Sequence, residues 1–294
     1  MHLAVLLQIS PSALQIGEMG AIATDSQDFT LAPSPRGLLL ERVRIYSDFD
    51  GTITQKDTLR LLLERFSAQD WPAIEQALDS GRITEREAVV LAFKKFPLSV
   101  EEAIEFVSTH IDLRAGFDSF LLWVDHFDIP LTILSAGFQQ LIVAYLKRKH
   151  PSASFEIFAN SAIDKSGNET GWNVRNFSID PLCSRCSHCK TQSMFTHSNP
   201  DLFRVYIGDG LTDFCPSEFA DLVFARGSLK ERCEREGIPF VPFETFYEVQ
   251  IHLNRLLSSP SLIGRRKNTK KIKECGAPVL PFDKIETPRL QPHP

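Results

Sequence analysis

The chain has 294 residues, 43% of them hydrophobic and 23% charged, with a formal net charge of -5 at pH 7. That length accommodates about two domains, or one large domain with an insertion, in an ordinary globular composition. The weakly acidic balance gives no whole-chain attraction for nucleic acid or membrane, and no apolar run reaches the roughly 18 residues of a transmembrane helix, so function must reside in local sites.

Residues 1–40 carry little periodicity and end in the linker-like "APSPRG". The opening "MHLAVLLQI" lacks a basic region before its apolar stretch and a small-residue cleavage site after it. Glu18, Asp25 and Asp28, with no Arg before Arg36, oppose a transit peptide. A disordered extension is expected here, with the folded part beginning near Leu39.

"RVRIYSD" (42–48) reads as a short buried strand, and it runs straight into "FDGT". The stretch 57–128 is helix after helix. Thr84 with Glu87 and Ser99 with Glu102 are capping-box spacings, and "SG" at 80–81 punctuates the run. "PLTILSAG" (130–137) is a second strand, leading into a helical pattern at 138–150. Residues 153–182 hold "FEIFANSAI" and "NVRNFSI" around a turn-rich "DKSGNETG", a hairpin pattern. Helical patterns at 190–198, 212–220 and 228–237 then alternate with strands at 203–210 and 220–226. The expected fold is α/β: a Rossmannoid parallel sheet with helices on both faces and a helical insertion after the first strand. The implied organisation is a core of 41–56 and 129–255, an inserted lid of 57–128, and a disordered basic, proline-rich tail at 256–294.

In such sheets ligands sit beyond the carboxyl ends of the strands, and the chemistry-bearing residues fall there. Asp48 and Asp50, two apart on an extended chain, project to the same side. Their repulsion is ~4 kcal/mol at 4 Å and an effective dielectric near 20, which calls for a cation or a shared proton. Asp209 and Asp213 in "GDGLTD" add carboxylate at a later strand end, and hard oxygen ligands of this kind suit Mg2+. Ser135 with the Ala136 and Gly137 amides lies where a helix opens and phosphate binds readily. Lys190 opens another helix and supplies a positive charge.

The ordered set "DFDGT", "ILSAG", "CK" and "GDGLTD" resembles the four motifs of the haloacid dehalogenase superfamily. The helical insertion is similar to the C1 cap of its phosphoserine phosphatase-like branch, subfamily IB. By that resemblance Asp48 is the nucleophile that forms an aspartyl-phosphate, and Asp50 is the acid that becomes the base. Ser135, Ala136 and Gly137 bind the phosphoryl oxygens, and Lys190 holds Asp48 and phosphate together. Mg2+ is held by Asp48, the Asp50 carbonyl and Asp209, with Asp213 acting through water or Lys190. "CSRCSHCK" and the closing "FARGSLKERCEREGIPFVPFETFYEV" resemble the MtnX type of methionine-salvage phosphatase. The resemblance implies a small phosphorylated metabolite as partner: 2-hydroxy-3-keto-5-methylthiopentenyl-1-phosphate first, with phosphoserine, phosphoethanolamine or phosphocholine as alternatives.

The cysteines Cys183, Cys186, Cys189, Cys215, Cys233 and Cys275 do not form a disulfide framework, so a reducing, cytoplasmic setting is expected. The spacing of Cys183, Cys186 and Cys189 admits zinc, but His188 is a poor fourth ligand beside Cys189. Thiols shaping the loop that aims Lys190 are the favoured reading. A receiver-like phosphoryl switch and a zinc-dependent interaction module are the rival classes. A Rossmann dehydrogenase fails for want of G-x-G-x-x-G after the first strand. For substrate choice Arg60, Arg114 and the Trp172 region are the nominees; the oligomeric state stays open.

Overall fold

A computed structural model describes residues 42–258, apart from 68, 168, 178–182, 184 and 197–201. The expectations for the N-terminal extension, the basic tail and Cys275 lie outside the described residues.

Among the described residues seven strands form one sheet: β1 (Val43–Ser47), β2 (Leu131–Phe138), β3 (Glu156–Asp164), β4 (Trp172–Arg175), β5 (Phe203–Gly208), β6 (Leu222–Ala225) and β7 (Val241–Pro242). Their order is β4-β3-β2-β1-β5-β6-β7, parallel throughout except for the antiparallel β3–β4 pair. The hairpin is thus an edge device on an α/β sheet. The chain progresses leftward from β1 through β2 and rightward through β5, so β1 sits at the switch point, where a crevice opens beyond the strand ends.

Strand periodicity explains how the core divides. Ile45, Ile133, Val205, Ile207 and Phe224 point into one buried cluster. Their neighbours Tyr46, Leu134, Tyr206, Val223 and Ala225 point into another. Alternate residues feed opposite faces, and both faces are apolar because helices cover both.

Between β1 and β2 stand five helices: α1 (Thr58–Phe66), α2 (Trp71–Asp79), α3 (Glu85–Phe93), α4 (Val100–His110) and α5 (Phe117–His126). The capping boxes at Thr84/Glu87 and Ser99/Glu102 are both formed, each with reciprocal side-chain to backbone bonds. Gly81 takes φ +70 at the turn after α2, a left-handed position that suits glycine. The chain returns beside its point of departure: Thr54 bridges Leu113, and the Arg114 amide donates to the Ile53 carbonyl at 2.8 Å. Then follow α6 (Gln139–Lys149), α7 (Lys190–Thr196), a 3-10 turn (Leu211–Asp213), α8 (Phe214–Ser217), α9 (Gly227–Glu236) and α10 (Phe246–Ser258). The helical pattern expected over 212–220 is a 3-10 turn followed by one short helical turn, because Pro216 and the tight "GDG" entry leave no room for a regular helix.

Candidate active site

Register carries the motif residues to one place. Ser47 opposes Ile133 of β2 and Ile207 of β5, so Asp48 emerges just past the sheet, with Ser135 on one side and Asp209 on the other. Lys190, the first residue of α7, comes up among them. The Lys190 ammonium lies 2.7 Å from Asp48 Oδ1 and 2.7 Å from Asp213 Oδ1. It is 2% exposed, Asp48 5% and Asp213 0%, so this bridge is shielded from the solvent screening that weakens surface pairs.

The two carboxylates of the first motif have different partners. Asp48 Oδ1 also accepts from the Phe49 amide at 2.7 Å. Asp50 Oδ1 accepts from the Thr58 amide at 2.8 Å and from the Thr58 hydroxyl, while Asp50 Oδ2 accepts from Ser135 Oγ at 3.3 Å. One acid therefore faces the lysine, and the other is held by the start of α1 and the end of β2. Thr58 is a site residue that motif reading misses; its only sequence signal is its place one residue after the N-cap Asp57.

Asp213 has its oxygens committed. Oδ1 takes Lys190 and the Tyr206 hydroxyl (2.7 Å), and Oδ2 takes the amides of Asp209 and Gly210 at 3.0 and 2.9 Å. Asp209 Oδ1 accepts from Thr52 Oγ1 at 2.6 Å. Glycine is required where backbone passes these acids: a Cβ on Gly51, which has φ +75, would lie 2.4 Å from Asp209 Oδ2.

The phosphate-type segment is a bulge. Ser135 opposes Ala159 and Phe138 opposes Asn160, so Ala136 and Gly137 are looped out of the ladder. β2 continues through Phe138 and α6 opens only at Gln139. The Ala136 and Gly137 amides are therefore set by a strand bulge and not by the first turn of a helix, as their sequence position suggests. Gly137 N–H donates to Ser135 Oγ at 2.9 Å.

Electrostatics follow from this crowding. Burial, reinforced by the charge of Asp213, pushes the Asp48 carboxyl well above the usual carboxylate range, against the pull of Lys190. Burial and nearby Asp57 raise Asp50 to about 7. Burial and Asp213 raise Asp209 to about 6. Burial opposes the charge on Lys190, but Asp213 and Asp48 outweigh it and hold the ammonium protonated. Oxygens of Asp48, Asp209 and Asp213 lie within 4.8 Å of one another. A buried all-carboxylate set with more negative charge than one lysine offsets fits a hard divalent cation.

Two of the residues nominated for substrate choice make structural contacts. Arg114 donates to the carbonyls of Thr52 (2.7 Å), Thr54 (3.1 Å), Gly51 and Glu244, and Arg226 also reaches the Gly51 carbonyl at 2.9 Å. These arginines clamp the loop that leaves Asp50. Trp172 is buried and stacked on Phe93 at 4.7 Å, while Arg60 pairs with Glu64 and Glu75 on the surface. Among the cysteine-loop residues, His188 spends Nδ1 on the Ser135 carbonyl and Nε2 on Ser193 Oγ, leaving it no nitrogen for zinc.

Residues 45–215 match the family model of the haloacid dehalogenase-like hydrolases. The chain is 31% identical over 219 residues to a 2-hydroxy-3-keto-5-methylthiopentenyl-1-phosphate phosphatase of Bacillus mycoides (strain KBAB4), covering 73% of this chain and 97% of that protein. It is 32% identical over 220 residues to the enzyme of the same name from Geobacillus kaustophilus (strain HTA426), covering 74% and 98%. In fold it is similar to a structure of substrate-bound phosphoserine phosphatase, with TM-score 0.53 and 18% identity over 72% of this chain and 98% of that one.

Proposed function

The chain belongs to the haloacid dehalogenase-like hydrolase family and is a phosphatase, and on that premise we propose a Mg2+-dependent phosphomonoesterase that works through an aspartyl-phosphate at Asp48. Its substrate is a small phosphorylated metabolite, and the one assigned is the 2-hydroxy-3-keto-5-methylthiopentenyl-1-phosphate for which the relatives are named. The helices of 57–128 act as the cap over a core of 41–56 and 129–255, and the scattered cysteines support a cytoplasmic setting.

The observation that carries this reading is the division between Asp48, bridged to Lys190, and Asp50, held apart by Thr58 and Ser135. An Asp48 oxygen attacks phosphorus as the ester P–O bond breaks, and Asp50 gives its proton to the departing oxygen. With its pKa raised to about 7, Asp50 can carry that proton near neutrality. Water then attacks the phosphorus of the acyl phosphate, Asp50 takes the water's proton, and Asp48 is regenerated with inorganic phosphate. Ser135 and the bulged Ala136 and Gly137 amides receive the phosphoryl oxygens, and Lys190 keeps nucleophile and phosphate together. Asp48, the Asp50 carbonyl and Asp209, with Asp213 behind Lys190, would hold Mg2+, and the bound ion would supply the charge that lets a carboxylate approach a phosphate dianion.

The test is a screen of phosphorylated metabolites that includes phosphoserine, phosphoethanolamine and phosphocholine beside the methionine-salvage enol phosphate. Hydrolysis of the last by the wild type, abolished by EDTA and in Asp48→Asn, is expected. Activity that persists in Asp48→Asn would falsify the mechanism, and preference for another ester would reassign the substrate.

A further inference from the structure

The start of α3 is fastened to the cysteine-rich loop that precedes Lys190. Thr84 caps the helix and its capping box with Glu87 sets where it begins. That leaves Glu85 and Arg86 in the first turn, both aimed at residues 183–187. Glu85 accepts from Ser187 twice, from the hydroxyl at 2.8 Å and from the amide at 3.1 Å. Arg86 donates through its side chain to the carbonyls of Cys183 (3.1 Å) and Cys186 (3.2 Å), and through its backbone amide to the carbonyl of Arg185 (3.2 Å). A helix-start amide that lacks an intrahelical partner is thus satisfied by the loop, and one guanidinium fork spans two of its carbonyls.

The loop passes the grip inward. Ser187 and His188 are both 0% exposed. Asn160 of β3 donates to Ser187 Oγ at 2.9 Å and to the Ala136 carbonyl at 2.7 Å. The Phe177 amide occupies its side-chain oxygen at 2.9 Å, so the Asn160 amide group cannot turn over without losing all three bonds. His188 Nδ1 lies 2.8 Å from the Ser135 carbonyl. A carbonyl only accepts, so Nδ1 carries the proton and Nε2 accepts from Ser193 Oγ at 2.7 Å. Two residues on, Lys190 meets Asp48 and Asp213.

We propose that Glu85 and Arg86 are positioning residues: they latch the inserted helices onto Cys183, Arg185, Cys186 and Ser187 and, through Ser187, Asn160 and His188, set the Ser135–Gly137 bulge and the Lys190 ammonium. The inference rests on the proposed phosphate-binding role of those groups. It assigns the cysteine-rich loop the task of a mechanical link. The backbone carbonyls of Cys183 and Cys186 are what Arg86 grips, so this link needs no metal and no disulfide. Misplacement of about 1 Å at such groups costs on the order of 10²-fold in rate.

The test uses the full chain with Mg2+ and reads amide hydrogen exchange and the binding of inorganic phosphate, alongside far-UV spectra and melting curves. Glu85→Ala and Ser187→Ala, substitutions on the two sides of the latch, are each expected to speed exchange about tenfold at residues 186–190 and 135–138. Inorganic phosphate should bind about tenfold more weakly to each, and the double variant should be no worse than either single one. Glu85→Gln, whose amide oxygen still accepts from the Ser187 hydroxyl, recovers part of the loss. Faster exchange confined to α3, or a double variant that multiplies the two single losses, overturns the latch. Exchange needs no turnover, so a wild-type chain inactive on every phosphomonoester would count against the proposed function while leaving this readout intact.

Discussion

Asp48 and Asp50 share a strand end and have separate partners, and the separation is made by small residues around them. Gly51 must take φ +75 beside the Asp209 carboxylate, so Gly51→Ala combines left-handed strain of about 1–2 kcal/mol with a clash at an acid assigned to the metal. Near-complete loss of phosphatase activity is expected, with a lowered but measurable melting temperature. His188 makes a cleaner single-residue prediction. Burial lowers it to about 4 from the ordinary 6.5. Between those values the unfolded chain binds a proton that the folded chain refuses, so the stability tied to neutral His188 is present above about pH 6.5 and is lost as pH falls towards 4. The amount is roughly 3 kcal/mol at 1.36 kcal/mol per pH unit. Denaturant midpoints from pH 7 to 4.5 should fall more steeply for the wild type than for His188→Gln. Parallel curves would show that another group governs the acid limb.

Among elements, the loop from Gly51 to Thr54 is held by arginines as well as by its own bonds. Arg114 comes from the segment after α4 and Arg226 from the end of β6, and both converge on the Gly51 carbonyl. Arg114→Met strands the Thr52 and Thr54 carbonyls in a buried setting, at roughly 1–3 kcal/mol for each group left without a donor. The expected result is a lower denaturant midpoint with an unchanged slope, together with weaker Mg2+ binding, because the Asp50 carbonyl is next in the chain. The β3–β4 hairpin has a different task. Trp172 packs among Phe93, Phe96 and Phe138 and donates to the Leu98 carbonyl at 2.8 Å, so it joins the sheet edge to the inserted helices. Trp172→Ala should cost about 3–5 kcal/mol of stability, read by chemical denaturation.

At the scale of the molecule, four buried or half-buried acids meet at the switch point of the sheet against one lysine. The fold tolerates this because both apolar clusters, one on each face, close beneath the site. A cation that neutralises the cluster binds the folded chain and not the unfolded one, so saturating Mg2+ should raise stability by about 2.7 kcal/mol at a hundredfold excess over Kd. Thermal melts with and without Mg2+ should differ in the wild type and converge in Asp209→Asn. Equal shifts in both would place the ion elsewhere. No described helix is long and apolar enough to cross a membrane.

Legible in the sequence were the alternation of strands and helices, the helical run between the first two strands, the hairpin pattern over 153–182, and the acids, hydroxyl and lysine gathered at strand ends. Each of these is a local signal: continuous apolar runs in β1, β2 and β5, the capping boxes before α3 and α4, and polar residues where apolar runs stop. Tertiary structure alone decided the rest. Thr58, Tyr206, Glu85 and Asn160 look like helix, core or surface residues in sequence, and they join the site through partners as distant as Ser187, 102 residues from Glu85. The bulge that frees Ala136 and Gly137 depends on the register against β3, which no stretch of β2 encodes alone. Hydrogen-bond partners and desolvation are properties of who is adjacent in space. For that reason separate roles for Asp48 and Asp50 could be expected from the resemblance of their motif, while the partners that divide them, Lys190 on one side and Thr58 and Ser135 on the other, came only with the fold.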